Sequence, residues 1–189
     1  LIGAILSLIP FGQPLFMKTG LALSTTGLML YVPEKSHAQS GDFYYNRGVK
    51  KYDAGDYYGA ISDYTKAIEI NPNDSQAYLN RGFAKGTLKD YYGAIFDFTN
   101  AININPQYAK AYYNRGWNKS KLKDYYGAIS DLTKAIEINP KYKNAFRNRG
   151  IDKKIIGDLK GACFDWGKAY ALGDNVSAEL VKDHCSSID

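Results

Sequence analysis

Two histidines and two cysteines hold most of the reactive chemistry available to this chain: His37, His184, Cys163 and Cys185. Imidazole is the usual general base near neutral pH, yet His37 and His184 stand far apart in the sequence. No Gly-rich phosphate loop, paired-carboxylate motif or Ser-His-Asp arrangement accompanies them. A metal site built from Cys163, His184 and Cys185 lacks a fourth ligand, and adjacent His and Cys side chains diverge on a helix. The expectation is therefore a non-enzymatic protein with no catalytic residue, no metal and no cofactor. If the chain is exported, oxidising surroundings would permit a disulfide between Cys163 and Cys185 that pins the C-terminal segment.

Charged residues form two further rows. Arg47, Arg81, Arg115 and Arg149 recur at one spacing, and Asp63, Asp97, Asp131 and Asp165 recur at the same spacing. An unpaired Arg on a packing face is costly, so each Arg is expected to pair with an Asp of its own or an adjacent unit. The competing reading is a row of arginines for anionic ligands, which the acids would neutralise. The net charge of +5 is spread among interspersed lysines and acids. Without a block of basic residues it does not imply nucleic acid.

Those rows must be carried by repeated elements, and the sequence repeats every 34 residues. Tyr45-Asn46-Arg47-Gly48 returns at Leu79 to Gly82, at Tyr113 to Gly116 and at Arg147 to Gly150. Asp56-Tyr57-Tyr58-Gly59-Ala60-Ile61 returns from Asp90 and Asp124, and in degenerate form from Asp158. Asn71-Pro72, Asn105-Pro106 and Asn139-Pro140 close the first three units. Each Asp can cap a second helix, and each Pro prevents that helix from continuing.

The pattern resembles the tetratricopeptide repeat family over residues 41–176. Tyr44, Tyr78, Tyr112 and Phe146 match its early aromatic, and Gly48, Gly82, Gly116 and Gly150 its small residue. Ala60, Ala94, Ala128 and Ala162, with Ala67, Ala101, Ala135 and Ala169, match the small residues of the second helix. The chain departs where the family usually has Leu before the early Gly, since Arg stands there. The resemblance implies an all-α, right-handed α-solenoid of four helix-turn-helix repeats plus a C-terminal capping helix. The units fall at residues 41–74, 75–108, 109–142 and 143–176, the last degenerate, with the cap at 177–189.

Residues 1–38 read differently. Met17-Lys18, the apolar run from Leu21 to Val32 and the small residues Ser36 and Ala38 make a secretory signal pattern. Cleavage would leave Gln39 first. Retention as an N-terminal membrane segment, or a true start at Met17, are the alternatives. The expectation is export to a periplasm or thylakoid lumen, with membrane association if the segment is kept.

In this family the first helices of each pair line a concave groove. There the resemblance places Tyr45, Phe83, Tyr113 and Trp117 as an aromatic floor for a peptide or partner helix. Aromatic anchors dominate binding hot spots. Asn80 and Asn114 are candidate hydrogen-bonding residues for that partner. Packing between helices is the competing role for the aromatics, and tying neighbouring units together is the competing role for the asparagines. The expected function is binding of another protein or peptide. An architectural or membrane-associated assembly role through the ends or convex face is the alternative. The phrase Tyr-Asn-Arg-Gly is similar to that of exported cyanobacterial repeat proteins, which implies a part in complex assembly. Chaperone-binding members use a clamp of Lys, Asn, Asn, Lys and Arg. Here only Asn80 and Lys110 match, while Tyr45, Val49 and Asn114 fill the other places. Acidic chaperone tails are therefore not an expected ligand.

Overall fold

In the computed structural model, every second helix opens on the same device. Asp56, Asp90, Asp124 and Asp158 each accept a hydrogen bond from the backbone N–H three residues on, at 2.8 to 3.0 Å. This satisfies one of the donors that a helix start leaves orphaned. The helices they start are α2 (Tyr57–Ile70), α4 (Tyr91–Ile104), α6 (Tyr125–Ile138) and α8 (Leu159–Ala171). The first three end one residue before Asn71, Asn105 and Asn139, each of which precedes Pro and is held out of the helical region. Each is preceded by a first helix: α1 (Gly41–Asp53), α3 (Ser75–Thr87), α5 (Ala109–Lys121) and α7 (Lys143–Ile155). The last helix is α9 (Asn175–His184), which begins two residues before the sequence places the cap.

The structure describes residues 22–23, 29–30 and 40–186. Two units result. The first, Leu1–Ser36, contains one antiparallel pair, β1 (Ala22–Leu23) with β2 (Met29–Leu30). The signal or membrane-segment reading of residues 1–38 otherwise lies outside the described residues. Among the described residues no helix is long and apolar enough to cross a membrane. The second unit is all-α. Each helix packs on the next from α1 to α9, and α1, α3, α5 and α7 also touch in series. This is the pairwise stacking of an α-solenoid with a terminal helix over its last pair.

The core is a column of small residues facing large ones. Ala60, Ala94, Ala128 and Ala162 are completely buried, and Tyr64, Phe98, Leu132 and Trp166 fill the space beside them. The early glycines are where the large residues press. A Cβ on Gly82 would stand 2.8 Å from the Phe98 ring, and one on Gly150 would stand 2.5 Å from the Trp166 indole. Interiors packed to this density admit no extra methyl there without displacement.

Candidate functional site

Each buried Asp of the second helices sits inside a cage. Arg81 Nε and Nη2 donate to Asp97 at 2.9 and 2.7 Å, and Lys85 Nζ lies 2.8 Å away. Arg115 and Lys119 hold Asp131 in the same way, Arg149 and Lys153 hold Asp165, and Arg47 and Lys51 hold Asp63. Every pair lies within one unit. The free Nη1 of Arg81, Arg115 and Arg149 reaches back to Thr65, Thr99 and Thr133 of the preceding unit at 3.0 to 3.1 Å. Arg and Lys stand four residues apart on one helical face, so both reach the same carboxylate. Hydrogen bonding to Arg47 holds the Asp63 carboxyl below its usual range, outweighing its burial. The guanidinium planes also cover Tyr44, Tyr78, Tyr112 and Phe146 at 5.1 to 5.6 Å. The lysines and threonines of this cage recur every 34 residues, so the period carries a signal for them that pairing Arg with Asp alone does not use.

The first helices present a different surface. Three cavities follow one another along α1, α3, α5 and α7. One of about 400 Å³ includes Val49, Asn80, Phe83 and Lys110 in its lining. The next, about 220 Å³, includes Phe83, Tyr113, Asn114, Trp117 and Asn118. The third, about 110 Å³, is lined by Trp117, Ser120, Lys121, Asn148, Ile151 and Asp152. Phe83, Tyr113 and Trp117 therefore line this face, and Tyr45 stands beside the first cavity through its bond to Asn80.

All four aromatics are half-buried, and each also packs on a neighbour. Tyr45 lies against Tyr64, Phe83 against Phe98, Tyr113 against Tyr142 and Trp117 against Tyr91. Asn80 Nδ2 donates to Tyr45 Oη at 2.8 Å, and Asn148 Nδ2 donates to Tyr113 Oη at 3.1 Å. Burial pushes both phenols above their ordinary value, so they stay neutral at physiological pH. Leu79 occupies the equivalent place in the second unit and carries no hydroxyl. Asn114 turns to the carbonyl of Lys110 instead, at 2.5 Å.

Two more polar groups on this face break the repeat. The column Lys50, Ala84, Asn118 and Asp152 runs through equivalent positions. Asn118 is 2% exposed and Asp152 is 1% exposed. Asp152 Oδ1 accepts from Ser120 Oγ at 2.6 Å, while Asp152 Oδ2 and Asn118 Oδ1 have no partner. Burial raises the Asp152 carboxyl to about 6, against the lowering effects of Ser120 and Lys121. The sequence signal for both residues is a departure from the repeat rather than agreement with it.

At the C-terminal end, Cys163 of α8 and Cys185 beside α9 form a disulfide, with Cα atoms 5.7 Å apart. His184 packs its ring on Trp166 and meets Lys154 Nζ at 2.9 Å. Arg147, standing where two other units have Tyr, pairs with Asp174 at 2.6 Å. Among the described residues no group of three His, Cys, Asp or Glu is placed to hold a metal ion.

Tetratricopeptide repeat models match residues 41–74 and 109–142, and a second such model matches residues 63–96. The chain is a tetratricopeptide-repeat protein. Its paired helices superpose on the crystal structure of MamA with a TM-score of 0.71 at 24% identity, covering 76% of this chain and 84% of that one. That likeness concerns the fold. The first tetratricopeptide domain of Spaghetti (RPAP3), bound to the HSP90 peptide SRMEEVD, is similar at TM-score 0.61 and 27% identity, over 63% of this chain and 94% of that one. The Arabidopsis OM64 tetratricopeptide domain is similar at TM-score 0.57 and 27% identity, over 62% of this chain and 93% of that one. No curated protein matches the sequence. Tetratricopeptide domains are protein-interaction modules, and their repeats are generally non-catalytic scaffolds.

Proposed function

We propose that this protein binds a peptide or a partner segment along the face formed by α1, α3, α5 and α7. One observation supports this reading most: of three cavities in series, the first two share the half-buried Phe83 and the last two share Trp117. Aromatic side chains beside unfilled polar groups are the usual composition of a binding hot spot. The first test is retention of a partner from the source organism by wild-type protein and by a Phe83→Ala, Trp117→Ala double variant with an unchanged circular dichroism spectrum. Loss in the variant supports the reading; equal retention by both overturns it.

The ligand proposed is not an acidic chaperone tail. The places that would hold a terminal carboxylate carry Tyr45, Val49 and Asn114. Lys110, which matches the clamp, has its Nζ 4.9 Å from the Phe83 ring centre. Titration with SRMEEVD, the peptide bound by the Spaghetti domain, should give no saturable signal. Saturable binding would contradict the assignment.

A second reading has an observation of its own. Tyr58, Tyr92 and Tyr126 are 77%, 76% and 73% exposed, one at the start of each of α2, α4 and α6. Such a row suits an assembly role on the outer face. A Tyr58→Ser, Tyr92→Ser, Tyr126→Ser variant that keeps its partner and its oligomeric state removes it. Export is proposed on the apolar-led segment alone. N-terminal sequencing of protein from source cells should find Gln39 first, and retention of residues 17–38 would overturn cleavage.

A further inference from the structure

The third cavity is built unlike the rest of the groove. At this place in the helix the second unit has Ala84, which is fully buried and has no polar atom to satisfy. The scaffold therefore has no need of a carboxylate here. Asp152 nevertheless stands at the equivalent position of α7, buried against α5, with one oxygen bonded to Ser120 and the other unpaired. A buried polar atom without a partner is costly, and more so when charged. A buried group left short of partners in a cleft is a candidate functional position. Around Asp152 the unfilled acceptor is its own Oδ2, and the ammonium in the lining, Lys121, has no hydrogen bond to it. Asn148 gives one Nδ2 hydrogen to Tyr113 and also lines the cavity, where its side-chain carbonyl is an acceptor by chemistry. Asn118 Oδ1, also unpaired, belongs to the neighbouring cavity, beside Gly86. What complements this set is a group rich in donors and poor in acceptors. Lysine ammonium and arginine guanidinium are the side chains of that kind. The Trp117 ring adds a face that attracts cations, and Lys121 Nζ already stands 4.9 Å from its centre.

We propose that the cavity between α5 and α7 is a cation pocket, in which Asp152 and Trp117 receive the basic side chain of a partner segment lying in the groove. This rests on the groove reading and adds the chemistry of the ligand: a basic residue rather than the acidic terminus bound by the Spaghetti domain. Lys121 is the resident competitor. It occupies the ring that the incoming cation would use and shares the field of Asp152.

The test uses two capped pentapeptides, acetyl-Gly-Gly-Lys-Gly-Gly-amide and the same peptide with norleucine in place of Lys. Binding is read from the indole N–H signal of Trp117 and the side-chain amide of Asn148. Trp166, fully buried beneath α9, is the internal control. The lysine peptide should shift both signals in a saturable way and the norleucine peptide should not. Asp152→Asn keeps the shape and should abolish the shift. Lys121→Met should tighten binding by roughly threefold, as expected for removal of a nearby like charge. Equal response to the two peptides, an undiminished response in Asp152→Asn, or weaker binding in Lys121→Met would each overturn the pocket. The groove reading is judged separately. A partner lost by the Phe83→Ala, Trp117→Ala variant but kept by Asp152→Asn overturns the cation pocket and leaves the groove. A partner kept by both overturns the two together.

Discussion

Asp131 and Asp152 are both almost completely buried, only one helix apart in the chain, and their surroundings are opposite. Asp131 receives two guanidinium nitrogens and an ammonium. Asp152 receives one hydroxyl and keeps a bare oxygen. The first belongs to a cage that recurs in all four units, and the second to a position where the units disagree. In a repeat array, a buried charge that recurs with all its partners is scaffold. One that stands alone and incompletely bonded is a candidate for contact with something else. Burial by itself does not separate the two cases; the count of hydrogen bonds does.

The contrast can be broken from the scaffold side first. Asp97→Ala strands Arg81 and Lys85 in a half-buried interface. It should destabilise the array by about 3–5 kcal/mol, the usual cost of removing one partner of a buried pair, read as a fall in the urea midpoint. A loss under about 1 kcal/mol would mean that the cages contribute little. Arg115→Leu restores the family's usual residue but leaves Asp131 with Lys119 alone. It should lose about 2–3 kcal/mol while keeping partner binding. Loss of binding with an intact melt would return the arginines to the ligand.

Asp152→Asn should act in the other direction. Because the folded carboxyl titrates near 6 rather than near 4, the folded state holds a proton that the unfolded chain releases between those values. Wild-type stability thus falls as pH rises through that window, and the penalty is complete above it. The variant should be more stable than wild type by on the order of 2 kcal/mol at pH 8, with the gain vanishing below about pH 4. A variant less stable than wild type at pH 8 would show that the carboxylate is satisfied after all. The smallest effect is expected from Tyr113→Phe, which removes one hydrogen bond to Asn148. About 1 kcal/mol in the thermal melt, with the partner retained, would fix that hydroxyl as a tie between units.

The helices, their starts and stops, and the small-against-large packing were legible because each depends on residues in strict 34-residue register. The caps are local chemistry, and an Asp before a helix needs no tertiary information. Arg and Asp could be brought together because both recur, although the period alone leaves open which unit supplies the Asp. The groove was less legible. Tyr45 and Tyr113 read as ligand contacts, yet each hydroxyl is engaged by an Asn of the next unit, a contact set by helix stacking. Asp152 and Asn118 were not legible for the opposite reason: they stand where the units disagree, and only the packed structure shows that both are buried and short of partners.

The bonds from Arg81, Arg115 and Arg149 back to a threonine of the preceding unit give all three seams one bond in common. Length thereby becomes adjustable in whole units. Excising residues 75–108 would bring Thr65 opposite Arg115 and Tyr45 opposite Asn114, so the new seam would carry the same two bonds as an old one. At the far end the threonine's place is taken by Gly167, which offers no acceptor to a following arginine. In-register duplication or excision in the interior thus preserves the arginine–threonine bond, while the last unit supplies no side-chain acceptor for another.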